Sequence, residues 1–301
     1  MLFTHHSHSG EFCTHATSSL EEVVLAAIAR GMTSIALTEH MPREVEDHYP
    51  GEAELPILQG RDLFALFEAY HSEAERLRAA YSDRIHILIG FEAEWIRPDT
   101  LRIIRDLQRR YQFDMFVGSV HHVHTHPVDF DDDTLNKARE ASGGSDAHLA
   151  AAYFDSQLEM LQALKPPVVG HFDLIRLKVL SENRDRDWRH WEEGVWDRIV
   201  RNLKFVREYG GLVEVNSAAL RKGLADVYPR REIMQEWASM GGKLTLSDDS
   251  HGVDQLCTHY TQALDCVKKA GIKELSYLVA SEERALTIQS VDIEQVRERL
   301  K

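Results

Sequence analysis

The sequence lacks the features that mark secretion, membrane insertion or dinucleotide binding. It has only three cysteines, Cys13, Cys257 and Cys266, with no CxxC spacing. That is the usage of reduced thiols, not of a disulfide framework or a cysteine-held zinc knot. No run of about 18 apolar residues occurs, so no membrane-spanning helix is available. The opening Met1-Leu2-Phe3-Thr4-His5 has no basic stretch followed by an apolar run, which predicts a cytoplasmic chain. Basic charge is scarce: 35 Lys and Arg stand against 49 Asp and Glu, a formal net charge of −14. Most of such a surface repels nucleic acid and anionic membranes, although a small anion can still enter one locally positive cleft. No GxGxxG or P-loop pattern opens any helix, which argues against a nucleotide-binding open sheet.

What is abundant is histidine, 17 of 301 residues, and it is unevenly placed. With 43% hydrophobic and 28% charged residues the chain has a globular composition and can bury a full core. The length suits a single domain over residues 1–301, most simply one α/β barrel.

Short apolar runs alternate with longer amphipathic stretches. The runs are Met1–Thr4, Ser34–Thr38, Ile85–Phe91, Met115–Ser119, Pro167–Gly170, Gly211–Val215 and Lys243–Leu246. Between them lie expected helices over Ser19–Arg30, Arg61–Tyr81, Thr100–Tyr111, Leu149–Leu164, Glu192–Tyr209, Arg231–Met240 and Asp254–Ala270. Seven β-then-α repeats predict parallel strands with right-handed crossovers. Near-continuous apolar strands predict burial on both faces. A closed barrel is the first choice and an open doubly wound sheet the second. Helix-to-strand joints are short, whereas Met41–Gly60, His122–His148 and Leu174–Trp191 are long strand-to-helix joints. Long polar loops at one end only are what a barrel's active face looks like. The residues from about 272 onward read as a strand-like piece and a charged helix without assigned chemistry.

The apolar runs end in metal-ligand residue types. The first leads into His6-Ser7-His8 and then His15; the second ends Thr38-Glu39-His40. The others lead to Glu92 and Glu94, His121-His122, His171-Phe172-Asp173, Asn216, and Asp248-Asp249-Ser250-His251. A parallel barrel brings all strand C-termini to one rim, so these residues converge. Side chains alternate along a strand, so His6 and His8 point one way and can share an ion; Asp249 and His251 have the same spacing. Imidazole and carboxylate ligands suit zinc, manganese or iron, with no cysteine ligand implied. One His-x-His alone is as easily a surface accident; the joint pattern at six of seven strand ends is not. Three other features carry bland readings. Ser145–His148 reads as a helix cap in a solvated loop. Asp129, Asp131, Asp132 and Asp133 read as solvated, lacking the Gly and Glu offsets of a calcium loop. His122, His124 and His126 read as pocket lining.

The series His6-Ser7-His8, His15, Thr38-Glu39-His40, Gly90-Phe91-Glu92, Ser119-Val120-His121, Gly170-His171 and Asp249-Ser250-His251 resembles the motif series of the polymerase-and-histidinol-phosphatase (PHP) superfamily. The stretches Pro166–Arg176 and Glu214–Gly223 resemble its histidinol-phosphate phosphatase branch. The match runs from about residue 2 to 255. The resemblance implies a distorted (β/α)7 barrel and three divalent ions (Zn, Mn or Fe). Carried over by position, His6, His8, Glu92 and Asp249 would hold one ion. Glu92, His121 and His171 would hold a second, with Glu92 bridging, and His15, His40 and His251 the third. Asp249 is preferred to Asp248, and His121 to His122, by spacing. Glu92, Asp249, His251 and His40 are the expected catalytic set; Arg176, Arg221 and His122 are the expected substrate contacts.

The implied reaction is hydrolysis of L-histidinol phosphate, a step of histidine biosynthesis, by in-line attack of a metal-bridging hydroxide without a phosphoenzyme. Clustered divalent ions overcome the repulsion between a phosphate dianion and a nucleophile. Mostly neutral histidine ligands keep the centre positive, which extra carboxylates would reverse. The acidic loop residues Asp129 and Asp131 could attract an amine-bearing substrate. Rival readings are a nucleotide or other phosphoesterase with the same machinery, an amidohydrolase barrel, and a non-catalytic metal-binding domain. The second is disfavoured because the strand ends offer glutamate and not a bridging lysine.

Overall fold

The computed structural model describes residues 1–52, 58, 62–281 and 285–300. Its centre is a ring of parallel strands. β1 (Phe3–Thr4) pairs with β2 (Ser34–Leu37), and β2 with β3 (His86–Ile89). The chain then bends at Gly90-Phe91 and resumes as β4 (Glu92–Glu94), which pairs with β5 (Val117–Ser119). The bend brings backbones so close that a Cβ on Gly90 would sit 2.6 Å from the Met115 carbonyl oxygen. A short antiparallel hairpin follows, β6 (His122–Val123) and β7 (His126–Pro127). The ring continues from β5 to β8 (Val168–Val169), β9 (Leu212–Asn216) and β10 (Lys243–Ser247), all parallel. A parallel bridge between Ser7 and Ser250, with the His8 amide donating to the Ser250 carbonyl at 2.8 Å, closes it. Counting β3 and β4 as one bent strand gives a seven-stranded closed barrel, distorted at the bend. The closed-barrel expectation holds; the open sheet does not.

Helices cover the outside: α1 (Leu20–Ala29), α2 (Leu63–Ala80), α3 (Thr100–Arg110), α4 (Asp132–Ala141), α5 (Asp146–Leu164), α6 (Ser181–Arg184), α7 (Val195–Tyr209), α8 (Ala218–Arg221), α9 (Arg231–Ser239) and α10 (Tyr260–Lys269). Ser19 and Glu22 form a reciprocal capping box on α1. Gly31, Gly210, Gly241 and Gly271 close α1, α7, α9 and α10 at φ of 71, 82, 69 and 84°, a conformation that favours glycine. Part of the expected Met41–Gly60 loop, and Arg61 at the start of the second expected helix, lie outside the described residues.

Three local expectations are corrected. The solvated aspartates belong to a helix and not to a loop: the Asp131 carboxylate accepts from the Thr134 amide at 2.8 Å and caps α4, with the exposed Asp132 and Asp133 in the first turn. Ser145 does cap α5, but Asp146 is buried, accepting from Arg139, the Leu180 amide and Asn183. Asp254 lies in a 3-10 turn ahead of α10. The C-terminal region holds two strands, an antiparallel hairpin of β11 (Glu274–Ala280) and β12 (Leu286–Asp292), before α11 (Ile293–Glu298).

Strand alternation sorts side chains into two cores. Ile35, Leu37, Val213, Val215, Leu244 and Leu246 pack with the helices. Ala36, Leu88, Met115, Val117, Val168 and Leu212 fill the barrel's base together with Leu278 of β11. His5 fastens that hairpin: Nε2 accepts from the Leu278 amide and Nδ1 pairs with Thr245 Oγ1, both at 3.0 Å. Burial lowers the His5 pKa to about 4, so it stays a neutral acceptor. The apolar base and its plug leave the opposite rim for polar side chains. Among the described residues no helix is long and apolar enough to cross a membrane.

Candidate metal centre and active site

The rim gathers the ligand candidates of the sequence. Glu92 opens β4, just past the bend, and Glu214 lies on β9 two residues above the base residue Leu212. His6 and His8 follow β1, His40 follows β2, His121 follows β5, His171 follows β8, and Asp249 and His251 follow β10. Asp249 adopts φ of 48°, a left-handed conformation that aspartate tolerates better than most residues.

Four groups of side chains bring their ligand atoms within 4.8 Å of one another: His6, His8 and Glu92; His8, Asp249 and His251; Glu92, His121 and His171; and Cys13, His15, His40 and His251. Glu92 lies at the centre. Its Oε1 is 3.4 Å from His6 Nε2, 3.4 Å from His121 Nε2 and 2.9 Å from His171 Nε2. Its Oε2 is 3.6 Å from His8 Nε2 and 2.9 Å from His40 Nδ1. Asp249 Oδ1 is 3.4 Å from His8 Nε2 and 3.7 Å from His6 Nε2.

These residues fit divalent ions. His8 is fully buried and neither ring nitrogen has a hydrogen-bond partner; His6 Nε2, His121 Nδ1, His171 Nδ1 and His40 Nε2 also have none. Unpaired buried polar atoms are costly, and here they cluster at one spot. Two imidazole pairs face nitrogen to nitrogen, His121 with His171 at 3.2 Å and His15 with His251 at 3.0 Å. Two lone pairs at that separation repel unless a proton or a cation lies between them. In the metal-free chain a proton on His121 takes that part at the inner pair, whereas burial lowers the His15 pKa to about 3 and holds that of His251 well below the ordinary value, leaving the outer pair uncharged. Burial alone would lower the His6 pKa, but Glu92, Asp249 and Glu214 raise it well above the ordinary value. His8 and His121 are likewise raised to about 9 against burial, His8 by Asp249 and Glu39 and His121 by Glu92 and Glu94. Burial pushes the Glu92 carboxyl up, and His6, His121 and His40 outweigh it, holding it well below the usual range.

Of the two pairs of neighbours, Asp249 and His121 fall in these groups and Asp248 and His122 do not. Asp248 turns away, accepting from Thr4 Oγ1, the Ser250 amide and the Cys257 amide. His122 lies outside the four groups, its ring 5.3 Å from that of Tyr49, and burial lowers its pKa to about 4. Of the three histidines read as pocket lining, His122 is buried and His124 exposed. Arg176 is fully buried. One terminal nitrogen donates to the Asp226 and Val227 carbonyls, the guanidinium lies 5.0 Å from the Tyr228 ring, and Nη1 has no partner. Arg221 differs: both terminal nitrogens donate to main-chain carbonyls, of Asp248 at 3.0 Å and Asp249 at 2.8 Å. It braces the loop that carries Asp249.

Sequence reasoning counted Glu39 and Glu94 only as strand-end ligand types and missed that they and Glu214 stand behind the histidines. Glu214 Oε1 is 2.9 Å from His6 Nδ1, while Oε2 accepts from the His171 amide. Glu39 Oε1 accepts from the Ser9 amide and hydroxyl, and Oε2 is 3.6 Å from His8 Nδ1. Glu94 lies 3.4 Å from His121 Nδ1 and is paired with the buried Arg43 at 2.7 Å. Carboxylates on the far nitrogen fix a histidine's tautomer and free its near nitrogen for an ion. The available signal was a charged residue inside an otherwise apolar strand, as at Glu214. Cys13, in the fourth group, had no spacing signal at all.

The family model of the PHP domain matches residues 4–218. A probable histidinol-phosphatase of Schizosaccharomyces pombe is 43% identical over 91% of this chain and 89% of its own length. The histidinol-phosphatase of Saccharomyces cerevisiae is 33% identical over 98% and 97%. Among solved structures, histidinol phosphate phosphatase of Lactococcus lactis, complexed with zinc, L-histidinol and phosphate, superposes with a TM-score of 0.70 at 21% identity. It covers 91% of this chain and 95% of that one, a likeness of fold.

Proposed function

The chain belongs to the PHP domain family, and we infer from that premise that it is a histidinol-phosphatase, hydrolysing L-histidinol phosphate to L-histidinol and phosphate. The observation that carries this reading is the joint one: near-full-length identity to two histidinol-phosphatases in a chain whose nine candidate ligands meet at one rim. The same identity favours histidinol phosphate over the nucleotide or general phosphoesterase alternative.

In the proposed arrangement His6, His8, Glu92 and Asp249 would hold one ion, Glu92, His121 and His171 a second, and His15, His40 and His251 a third. Divalent ions there, zinc being the first choice, would supply positive charge to the phosphoryl oxygens and acidify water near neutral pH. The chain's own residues do the rest. Glu214 holds His6 through a hydrogen bond at Nδ1, and Glu39 lies 3.6 Å from His8 Nδ1. Arg221 steadies the Asp249 loop through two carbonyls. Arg176 offers the phosphate its unpaired Nη1, in a guanidinium fixed by carbonyls and by Tyr228. Asp129 follows directly on Val128, whose amide donates to the His121 carbonyl. It has no hydrogen bond or ion pair among the described residues, which leaves a half-buried carboxylate for the substrate's ammonium group. Asp131, expected to share that task, is occupied as a helix cap.

The deciding experiment is a phosphate-release panel on metal-loaded protein, with L-histidinol phosphate beside sugar and nucleotide monophosphates. L-Histidinol phosphate should give the highest kcat/KM; faster hydrolysis of a nucleotide would refute the substrate assignment.

A further inference from the structure

The outer ligand group contains a residue that the nitrogen and carboxylate ligand set does not include. Cys13 is 5% exposed. Its Sγ lies 3.4 Å from both ring nitrogens of His15, within the group that also holds His40 and His251. We propose that Cys13 is a thiolate ligand of this outer ion, completing a Cys-His-His-His set that selects zinc over manganese. The proposal rests on the metal-centre reading above and adds to it a ligand and a metal preference.

The four ligand atoms are near enough to contract onto one tetrahedral ion, the Cys13 sulfur turning from its place 3.4 Å from both His15 nitrogens toward one of them. Zinc–nitrogen distances of about 2.0–2.1 Å and a zinc–sulfur distance of about 2.3 Å imply edges of about 3.3–3.6 Å between ligand atoms. The Cys13–His15 edge is 3.4 Å, the His15–His251 edge 3.0 Å, and every other edge is within 4.8 Å. Local backbone fixes the approach. The Cys13 amide donates to the Ser9 carbonyl, and the Ala16 amide donates to the Cys13 carbonyl. This turn brings the thiol and the His15 imidazole, two residues apart, to the same cleft, whose walls include Glu39 and His40. A buried thiol is often a small apolar filler. Cys13 instead places its sulfur against imidazole nitrogens. Cys257 and Cys266 join no such group among the described residues, which makes them internal controls.

The chemistry balances without a further reactant: the sulfur–metal bond forms, the thiol proton passes to solvent, and no electrons are transferred. Thiolate is a soft ligand, so the outer position favours zinc, whereas an imidazole-only set would accept manganese more readily.

The test uses the full chain stripped of metal and reloaded with cobalt(II), with total metal counted by elemental analysis. Wild type should show near-ultraviolet thiolate-to-cobalt absorption. Cys13→Ser should lose it while keeping the visible bands of histidine-bound cobalt; C257S and C266S should retain it. On unmutated protein, zinc should slow alkylation of Cys13 by tenfold or more. Cys13→Ser should weaken outer-site zinc binding about 10–100-fold, and manganese binding by less than about threefold. A full cobalt complement in wild type without thiolate absorption, or alkylation of Cys13 unaffected by zinc, would overturn the ligand assignment alone. Failure of wild type to bind cobalt at all would remove the metal centre and this assignment with it.

Discussion

The inner and outer ligand groups use similar side chains in opposite settings. The inner group, His6, His8, Glu92, His121 and His171, is buried, and every member follows or begins a barrel strand. A carboxylate faces the Nδ1 side of His6, His8 and His121. The outer group draws Cys13 and His15 from the loop before α1; His15 is exposed, and His40 and His251 are half-buried. It touches the inner group through His40, whose Nδ1 is 2.9 Å from Glu92, and through His251, whose ring stacks on that of His8 at 4.5 Å. The lesson is that strand ends build a rigid, charge-compensated centre, while a loop adds a more accessible position whose affinity depends on fewer supports.

The sharpest way to break this comparison is Glu92→Gln. It removes the shared carboxylate of the inner group, and at least two ions should be lost per chain by elemental analysis. kcat/KM should fall by about 10³-fold or more, since several kcal/mol of charge stabilisation go with it at roughly 1.4 kcal/mol per tenfold. Unchanged metal content would refute the bridging position. His15→Ala should do less: one ion lost, the inner two retained, and activity down by about 100-fold. Loss of all ions in that variant would show that the groups are not separable. Glu214→Gln leaves every ligand in place and should weaken inner-group metal binding about 10–100-fold, read by competition with a chelator. The smallest effect concerns pH. His8 and His121 titrate at about 9 in the folded metal-free chain, against an ordinary 6.5. Their charged forms therefore stabilise the stripped fold fully below about 6.5, and that contribution is lost as pH rises through about 9. Ions compete with the same protons, so metal uptake by the inner group should strengthen across that interval, by at most about tenfold per pH unit for each proton displaced. Calorimetric titration in buffers of different ionisation enthalpy measures the protons released; none released at pH 7.5 would contradict it.

Much of this molecule is legible before folding is considered. The seven apolar runs fall on the seven staves, and the left-handed glycines close α1, α7, α9 and α10. The His-x-His, Glu-x-Glu and Asp-x-His spacings converge at the rim because each follows or begins a barrel strand; strand alternation itself applies to Glu92 and Glu94, while His6, His8, Asp249 and His251 lie just past their strands. Less legible was the bend at Gly90-Phe91, where one continuous apolar run hides two short strands and a change of partner. Also hidden was α4, because its leading aspartates resemble a polar loop until Asp131 is seen to cap it.

By itself the sequence named nearly all the candidate ligands and the end of the barrel that carries them, since both follow from the order of strand ends and chain direction. Only tertiary structure decided which ligands stand together. Ser7 had to meet Ser250, and His40 had to meet Glu92, before distant strand ends shared one space. Closure also set Glu214 and Glu39 behind His6 and His8 and brought His251 to the Cys13–His15 turn, contacts that depend on three-dimensional distance and leave no trace in linear spacing.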